Sequence, residues 1–362
     1  MTRIFGSPGR YVQGEGVIDS IEEYLPMDGS QAALLLDEQI VDLVAEPLRA
    51  GLDAAGFRIE SIAVDEVPTN GVIEALVDEI DAADVVVGAG GGRTLDITKA
   101  VAARLEAPLV TVPTIASTDA PTSSLSVIYT ESGDFEALQF HGVNPDLVLV
   151  DTGLIARAPT RLFRSGIADA LATWFEADAA YRAHGKNVFE GRSTRTAHAI
   201  AREAYETIDE HGVDAVRAVE QDAVTPSVEA VVEANTLMSG LGFESGGLAA
   251  AHAIHDGLTH LEVHGATHGE KVNVGTITQL VLEGRSRDEL HGFIELSIEL
   301  GLPVTLAGIG LADADAATLQ RAAEAACEPT ETIHNEPFEV TPTAVADALL
   351  TADHIGRTLK DG

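Results

Sequence analysis

Short apolar runs alternate with helical periods through the first part of the chain. Residues 32–36 (AALLL) read as a buried strand ending at Asp37, and 41–55 carry a helical period. Residues 58–64 (RIESIAV) alternate as a strand does, and 71–83 are helical again. The run VVV at 85–87 is a strand that leads into Gly88-Ala89-Gly90-Gly91-Gly92. A helix over 94–105, a strand at 109–112 (LVTV) and a last strand at 146–150 (DLVLV) complete this part. Strands that alternate with helices imply a parallel sheet in an α/β layer fold. After Pro159 the texture changes to long helical patterns at 165–182, 193–211, 227–241, 248–261, 270–282 and 287–300, with two more near the end. The expected division is therefore an α/β domain over 1–158 and an all-α domain over 159–362, with ligands in the cleft between them.

Composition narrows the partners. The 362 residues carry 58 acidic against 22 basic side chains, a net charge of −36. Such a chain repels nucleic acid and anionic lipid. Its 45% hydrophobic content and periodic apolar segments exclude an acidic disordered chain. Lysine occurs only at 99, 186, 271 and 360. Spread acid with scarce lysine reads as adaptation to high salt, where self-repulsion is screened within a few ångströms; lower stability in dilute buffer than in molar salt is the expected consequence. The single cysteine, Cys327, excludes an intramolecular disulfide and a cysteine-based zinc site. The start, MTRIFGSPGRYVQG, lacks the apolar core of a signal peptide, and no apolar stretch approaches a membrane span. A cytoplasmic protein is expected.

Three segments carry candidate chemistry. In VVVGAGGGRTLDITKA a strand ends, glycines follow and a helix begins. Glycine lets backbone N–H groups approach a phosphate, and the helix N-terminus adds partial positive charge. The third position of the usual dinucleotide fingerprint is Arg93 rather than Gly, so a purely structural turn stays open. Asp37, directly after a strand, can accept hydrogen bonds from ribose hydroxyls and repel a 2′-phosphate, which favours NAD over NADP; it can equally cap the next helix. The segment VPTIASTDAPTSSLSVIY gathers Thr114, Ser117, Thr118, Thr122, Ser123, Ser124 and Ser126 around Asp119. These hydroxyls suit a ribose or amide and Asp119 a substrate hydroxyl, or the whole is a Ser/Thr turn cluster.

The third segment, AAAHAIHDGLTHLEVHGATHGEKV, holds His252, His255, His260, His264 and His268. Two imidazoles with one carboxylate leave a metal an open position, the pattern of a catalytic site. His252 and His255 share a helix face, and His268 opens the next helix. His260 and His264 read as the solvated members. Spacing does not select the carboxylate.

The chain resembles the glycerol dehydrogenases of the iron-type alcohol dehydrogenase superfamily, through SPGRYVQG, GAGGGRTLDITKA, VPTIASTDAPTSSLSVIY, GIADALATWFEA, GFESGGLAAAHAIHDGLT and THGEKVNVGT, in order from residue 7 to about 280. The resemblance implies the dehydroquinate synthase-like fold, a nucleotide-binding α/β domain followed by a helical one. It implies one zinc on Asp169, His252 and His268, which also bind substrate. It implies NAD contacts from Asp37, Gly91, Gly92, Arg93, Thr94, Asp96, Thr114, Ser117, Ser123, Leu125 and Tyr129. Asp119 is assigned to glycerol, and His255 is a candidate proton relay. Two positions depart from related patterns: Arg93 stands where lysine is usual, and Thr173 stands where iron-dependent relatives carry a histidine, which favours zinc. The activity implied is NAD-linked oxidation of glycerol to dihydroxyacetone and its reverse. A glycerol 1-phosphate dehydrogenase, another vicinal-diol dehydrogenase, a dehydroquinate-synthase-like lyase and a non-catalytic NAD- or polyol-binding protein are the rivals. Relatives form oligomers, often octamers.

Overall fold

The computed structural model describes residues 2–133, 135–261 and 265–361. Six strands form one parallel sheet: β1 (Tyr11–Gly14), β2 (Gln31–Asp37), β3 (Arg58–Val64), β4 (Val85–Gly90), β5 (Leu109–Pro113) and β8 (Leu147–Asp151), in the order β1-β8-β5-β4-β2-β3. Between them run α1 (Val41–Ala54), α2 (Asn70–Glu79) and α3 (Gly92–Leu105). Alternation along β2 shows why the sheet is covered on both faces. Leu34 and Leu36 join Val44, Leu48 and Leu52 of α1 in one core. Ala33 and Leu35 face the other way, toward Ile73 of α2 and Ile97 and Val101 of α3.

Three features differ from the pattern read along the chain. The segment 71–83 is helical only to Glu79, because Ile80 turns to extended backbone (φ −78°, ψ 108°). β1 lies at a sheet edge beside β8, in a stretch too short and polar to signal a strand. The end of the Thr/Ser segment is an antiparallel hairpin, β6 (Leu125–Tyr129) with β7 (Phe135–Phe140). β7 exposes Phe135, Leu138 and Phe140, so it shows no half-buried alternation.

The remainder is helical: α4 (Thr152–Ala156), α5 (Thr160–Ala183), α6 (Arg195–Val219), α7 (Pro226–Glu233), α8 (Ser239–Gly246), α9 (Ala250–Thr259), α10 (His268–Leu282), α11 (Arg287–Glu299), α12 (Ala316–Ala326) and α13 (Pro342–Asp361). A π-helical turn, Ala234–Met238, joins α7 to α8. α5 is the axis of this part. Nearly every residue from Ser165 to Ala180 is buried. Phe163, Ile167 and Leu171 of α5 share a core with Val148 and Val150 of β8, so sheet and helices pack as neighbours. Among the described residues no helix is long and apolar enough to cross a membrane.

Candidate active site

Strand order locates a crevice before any side chain is considered. The chain leaves β2 toward β3 on one side and leaves β4 toward β5 on the other, although β2 and β4 are neighbours. Connections diverging from adjacent parallel strands open a crevice at their carboxyl ends, where open α/β sheets bind ligands. Asp37 ends β2, Gly90 ends β4, and Thr114 follows β5 with its N–H on Gly90 O (3.1 Å).

The glycines divide by what surrounds them. A Cβ on Gly88 would lie 2.2 Å from Thr98 Oγ1, and one on Gly90 would lie 2.7 Å from Thr94 Cβ. These two glycines let α3 approach β4, a purely structural need. Gly92 has nothing nearer than Thr118 Oγ1 at 3.7 Å, and Gly91 meets only the flexible end of Ile115. Packing does not account for Gly91 and Gly92, which leave the backbone at the α3 N-terminus open to an anion. Asp37 caps the turn that follows β2, its Oδ1 accepting from Gln39 N–H (3.0 Å), while its Oδ2 accepts from Thr94 Oγ1 (3.5 Å) at the crevice. Arg93 is exposed on the first turn of α3.

Two expected cofactor contacts point inward instead. Asp96 pairs with Lys99 (2.9 Å) and accepts from Val127 N–H. Ser123 Oγ accepts from Lys99 Nζ (3.1 Å). Lys99, 1% exposed, also donates to Ala120 O and Leu125 O. It pins the loop between β5 and β6 against α3, so Asp96 and Ser123 shape the crevice wall. Leu125 and Tyr129 lie on β6, which continues that wall. Ser117 is half-buried between Ala116 and Thr118.

The second cluster is assembled by close backbone approaches. Gly166 presses α5 onto the loop after β5, where a Cβ would lie 2.0 Å from Ala116 O. Gly269 presses the start of α10 onto α5, where a Cβ would lie 1.9 Å from Ser165 O. Thr267 and Glu270 form a capping box that makes His268 the first residue of α10. Asp169, His252 and His268 then offer ligand atoms all within 4.8 Å of one another. His252 Nε2 lies 3.2 Å and His268 Nε2 3.1 Å from the same oxygen, Asp169 Oδ1. Two imidazoles and a buried carboxylate converging on one point fit a divalent cation with a position left for substrate.

The surroundings tune this cluster. Burial favours protonated Asp169, but His268 and His252 outweigh it and hold its pKa far below the usual carboxylate range. Burial opposes a charge on His252, yet Glu176 and Asp169 overcome it and raise His252 well above ordinary imidazole. Asp119 N–H donates to Asp169 Oδ2 (3.4 Å), and the Ser239 hydroxyl donates to Asp119 Oδ2 (2.8 Å). Burial and the Asp169 charge push Asp119 well above its normal value. Thr173 lies one turn after Asp169; its hydroxyl sits 2.8 Å from Ser239 Oγ. His255 does not reach Asp169; its Nε2 lies 3.1 Å from His268 Nδ1, and its Nδ1 meets Asp256 Oδ1. Burial and His268 lower it to about 3, so it is neutral at ordinary pH. His260 is exposed, and His264 lies outside the described residues.

Several contributors escaped sequence reasoning. Glu176 contacts His252 from two turns beyond Asp169 on α5. Asn235 lies within the π-helical turn and Ser239 follows it; Asn235 donates to Ala116 O and Ser239 to Asp119. Glu336 is buried, and burial with Glu283 and Glu176 nearby pushes it up to about 9. An unfolded glutamate titrates near ~4.3. The folded chain therefore holds an extra proton between those values, and this stabilisation, complete below the lower one, drains as pH rises toward about 9. Glu336→Gln, which keeps the shape of the neutral acid, is expected to raise Tm at pH 8 by several degrees relative to its effect at pH 5. Thermal scans at the two pH values check this, and equal shifts at both would contradict it.

The iron-containing alcohol dehydrogenase family model matches residues 8–152. The chain is 54% identical to the glycolaldehyde reductase of Halobacterium salinarum, covering 100% of both proteins. It is 48% identical to the glycerol dehydrogenase of Thermotoga maritima, covering 99% of each. The crystal structure of glycerol dehydrogenase from Schizosaccharomyces pombe superposes with a TM-score of 0.96 at 36% identity, covering 99% of this chain and 92% of that one.

Proposed function

The chain belongs to the iron-containing alcohol dehydrogenase family, and we propose that it is a metal-dependent, NAD-linked vicinal-diol dehydrogenase that interconverts glycerol and dihydroxyacetone. The observation that carries this reading is the convergence of Asp169, His252 and His268, with Asp119 beside them. Glycerol dehydrogenases among the relatives, at 48% and 36% identity over nearly the whole chain, support the substrate. Division near residue 158 belongs to the same reading: Asp37, Gly91 and Thr114 precede it, and the three metal-binding candidates follow.

Asp169, His252 and His268 would hold the cation, and a bound divalent ion supplies Lewis-acid polarisation of a substrate hydroxyl. The small Thr173 leaves the site with three protein ligands and favours zinc. Bound NAD would supply the acceptor for the hydride of the carbinol carbon. Gly91 and Gly92, with Arg93 and Thr94 on the first turn, would cradle its pyrophosphate, and Asp37 would accept from its ribose. Asp119, with one oxygen held by Ser239, orients a second substrate hydroxyl, which suits a vicinal diol. His255, set between His268 and Asp256, is the candidate relay for the hydroxyl proton, passing it by exchange between its two ring nitrogens rather than holding it as a cation.

The 54% identical glycolaldehyde reductase favours a second substrate on the same machinery, reduction of a two-carbon hydroxyaldehyde to its diol. A phosphorylated polyol is disfavoured, since Lys99 is already committed to four partners. Halophilic adaptation is supported by the charge of −36 and by that relative's halophilic source. We place the protein in the cytoplasm as a homo-oligomer of up to eight copies, a reading that the exposed Phe135, Leu138 and Phe140 support. The deciding assay follows NADH formation in molar salt with glycerol, ethylene glycol, 1,2-propanediol and glycerol 1-phosphate, and NADH loss with dihydroxyacetone and glycolaldehyde. Turnover of unphosphorylated vicinal diols is expected. Full activity in chelator-treated protein that contains no metal would sink the scheme.

A further inference from the structure

We infer that Glu176 is a positioning residue for metal binding, which sets both the backbone and the ring tautomer of His252. The inference rests on the metal reading of Asp169, His252 and His268. The residue that caps α9 is an alanine, Ala249, whose side chain cannot accept from the first turn. The unpaired N–H groups of that first turn need acceptors from elsewhere. Glu176 serves two of them across the interior, its Oε1 accepting from Ala249 N–H (2.9 Å) and His252 N–H (3.0 Å), while Gln279 Oε1 accepts from Ala251 N–H. Its second oxygen, Oε2, lies 2.5 Å from His252 Nδ1. One fully buried carboxylate thus grips the same residue at its backbone and at its ring.

The chemical consequence follows from the two ring nitrogens. With Oε2 as acceptor, Nδ1 keeps its proton when a cation displaces the one on Nε2, so that Nε2 turns its lone pair to the point shared with Asp169 and His268. A charged acceptor on Nδ1 also makes Nε2 a better donor to a cation. His268 lacks such support, because its Nδ1 faces the ring of His255 rather than a carboxylate. Asp169 and Glu176 lie seven residues apart on α5, two turns along one face. The same helix therefore supplies a direct ligand and the support of a second ligand.

Glu176→Gln separates the two roles. Its carbonyl oxygen can still cap α9, but its NH₂ then confronts Nδ1–H. The imidazole escapes by moving its proton to Nε2, which blocks the cation. The experiment measures the Zn²⁺ dissociation constant of the full chain in competition with a chromogenic chelator, together with the Tm of the metal-free protein. The expected result is a 10–100-fold weaker Zn²⁺ constant in Glu176→Gln, the range for such supporting groups, with the metal-free Tm moved by only a few degrees. Glu176→Asp keeps the charge but withdraws it from Nδ1, and should lie between the two. It serves as the reporter if the glutamine variant does not fold. Zn²⁺ binding within twofold of the unsubstituted chain in the folded variant overturns the inference. If the unsubstituted chain itself takes up no Zn²⁺, the metal reading fails, and the inference fails with it.

Discussion

Asp169→Asn is expected to abolish stable divalent-metal binding and to lower kcat/KM for the diol by roughly 10³-fold or more, on the order of 4 kcal/mol of transition-state stabilisation. The carboxylate is 1% exposed and lies within 3.2 Å of both Nε2 atoms. Asparagine fills the same space, so α5 keeps its packing and folding is preserved. The negative charge that offsets a cation in a buried site is gone, and the two imidazoles alone do not replace it. The loss of charge also leaves the apo site with less reason to hold His252 protonated. Elemental analysis of the purified variant, with diol oxidation measured alongside, checks the prediction. A variant that retains one metal per chain and near-parental activity contradicts it.

Gly269→Ala is the second large effect, and it acts through the backbone. The added Cβ would sit 1.9 Å from Ser165 O, a main-chain atom in the middle of a buried helix. Relief requires α10 to move away from α5, and His268 is the residue next to the collision. Overpacking of this kind costs about 3 kcal/mol, which lowers Tm by roughly 5 °C or more. Zn²⁺ affinity should fall as well, since His268 Nε2 leaves the point it shares with Asp169. Gly292→Ala provides the contrast. It lies within α11 with nothing within 4 Å of its Cβ, so helix propensity alone acts and the change should be neutral or slightly stabilising. Calorimetry of both variants tests the pair; a Gly269→Ala chain as stable and as avid for metal as its parent overturns the argument.

Much of the molecule was legible along the chain because its signals are local. Short apolar runs located β2, β4 and β5, alternation located β3, and the 3.6 period located most of the helices. The glycine run after β4 and the histidines at 252 and 268 announced chemistry by residue type alone. What stayed hidden has a common cause. β7 was missed because its apolar residues face outward, and the burial on which period reading depends is absent. Asp169 was one acidic residue among 58 until family resemblance selected it. The sequence offers Asp96 and Ser123 as polar groups near a crevice, yet Lys99 claims both of them.

The sequence by itself determined the element types, the division of texture near residue 158, the anionic character and the chemical kinds of residue available. Each of these depends on neighbours within a few turns. Only the tertiary structure decided which of those residues meet. Glu176 and His252 are 76 residues apart, and Asp119 and Ser239 are 120 apart. Such pairings depend on how closely helices approach, and Gly166 and Gly269 set that distance at the site. A glycine's sequence context does not reveal what lies 2 Å beyond its missing side chain. The fold therefore chose one carboxylate as a ligand and another, two turns away, as the support of a ligand.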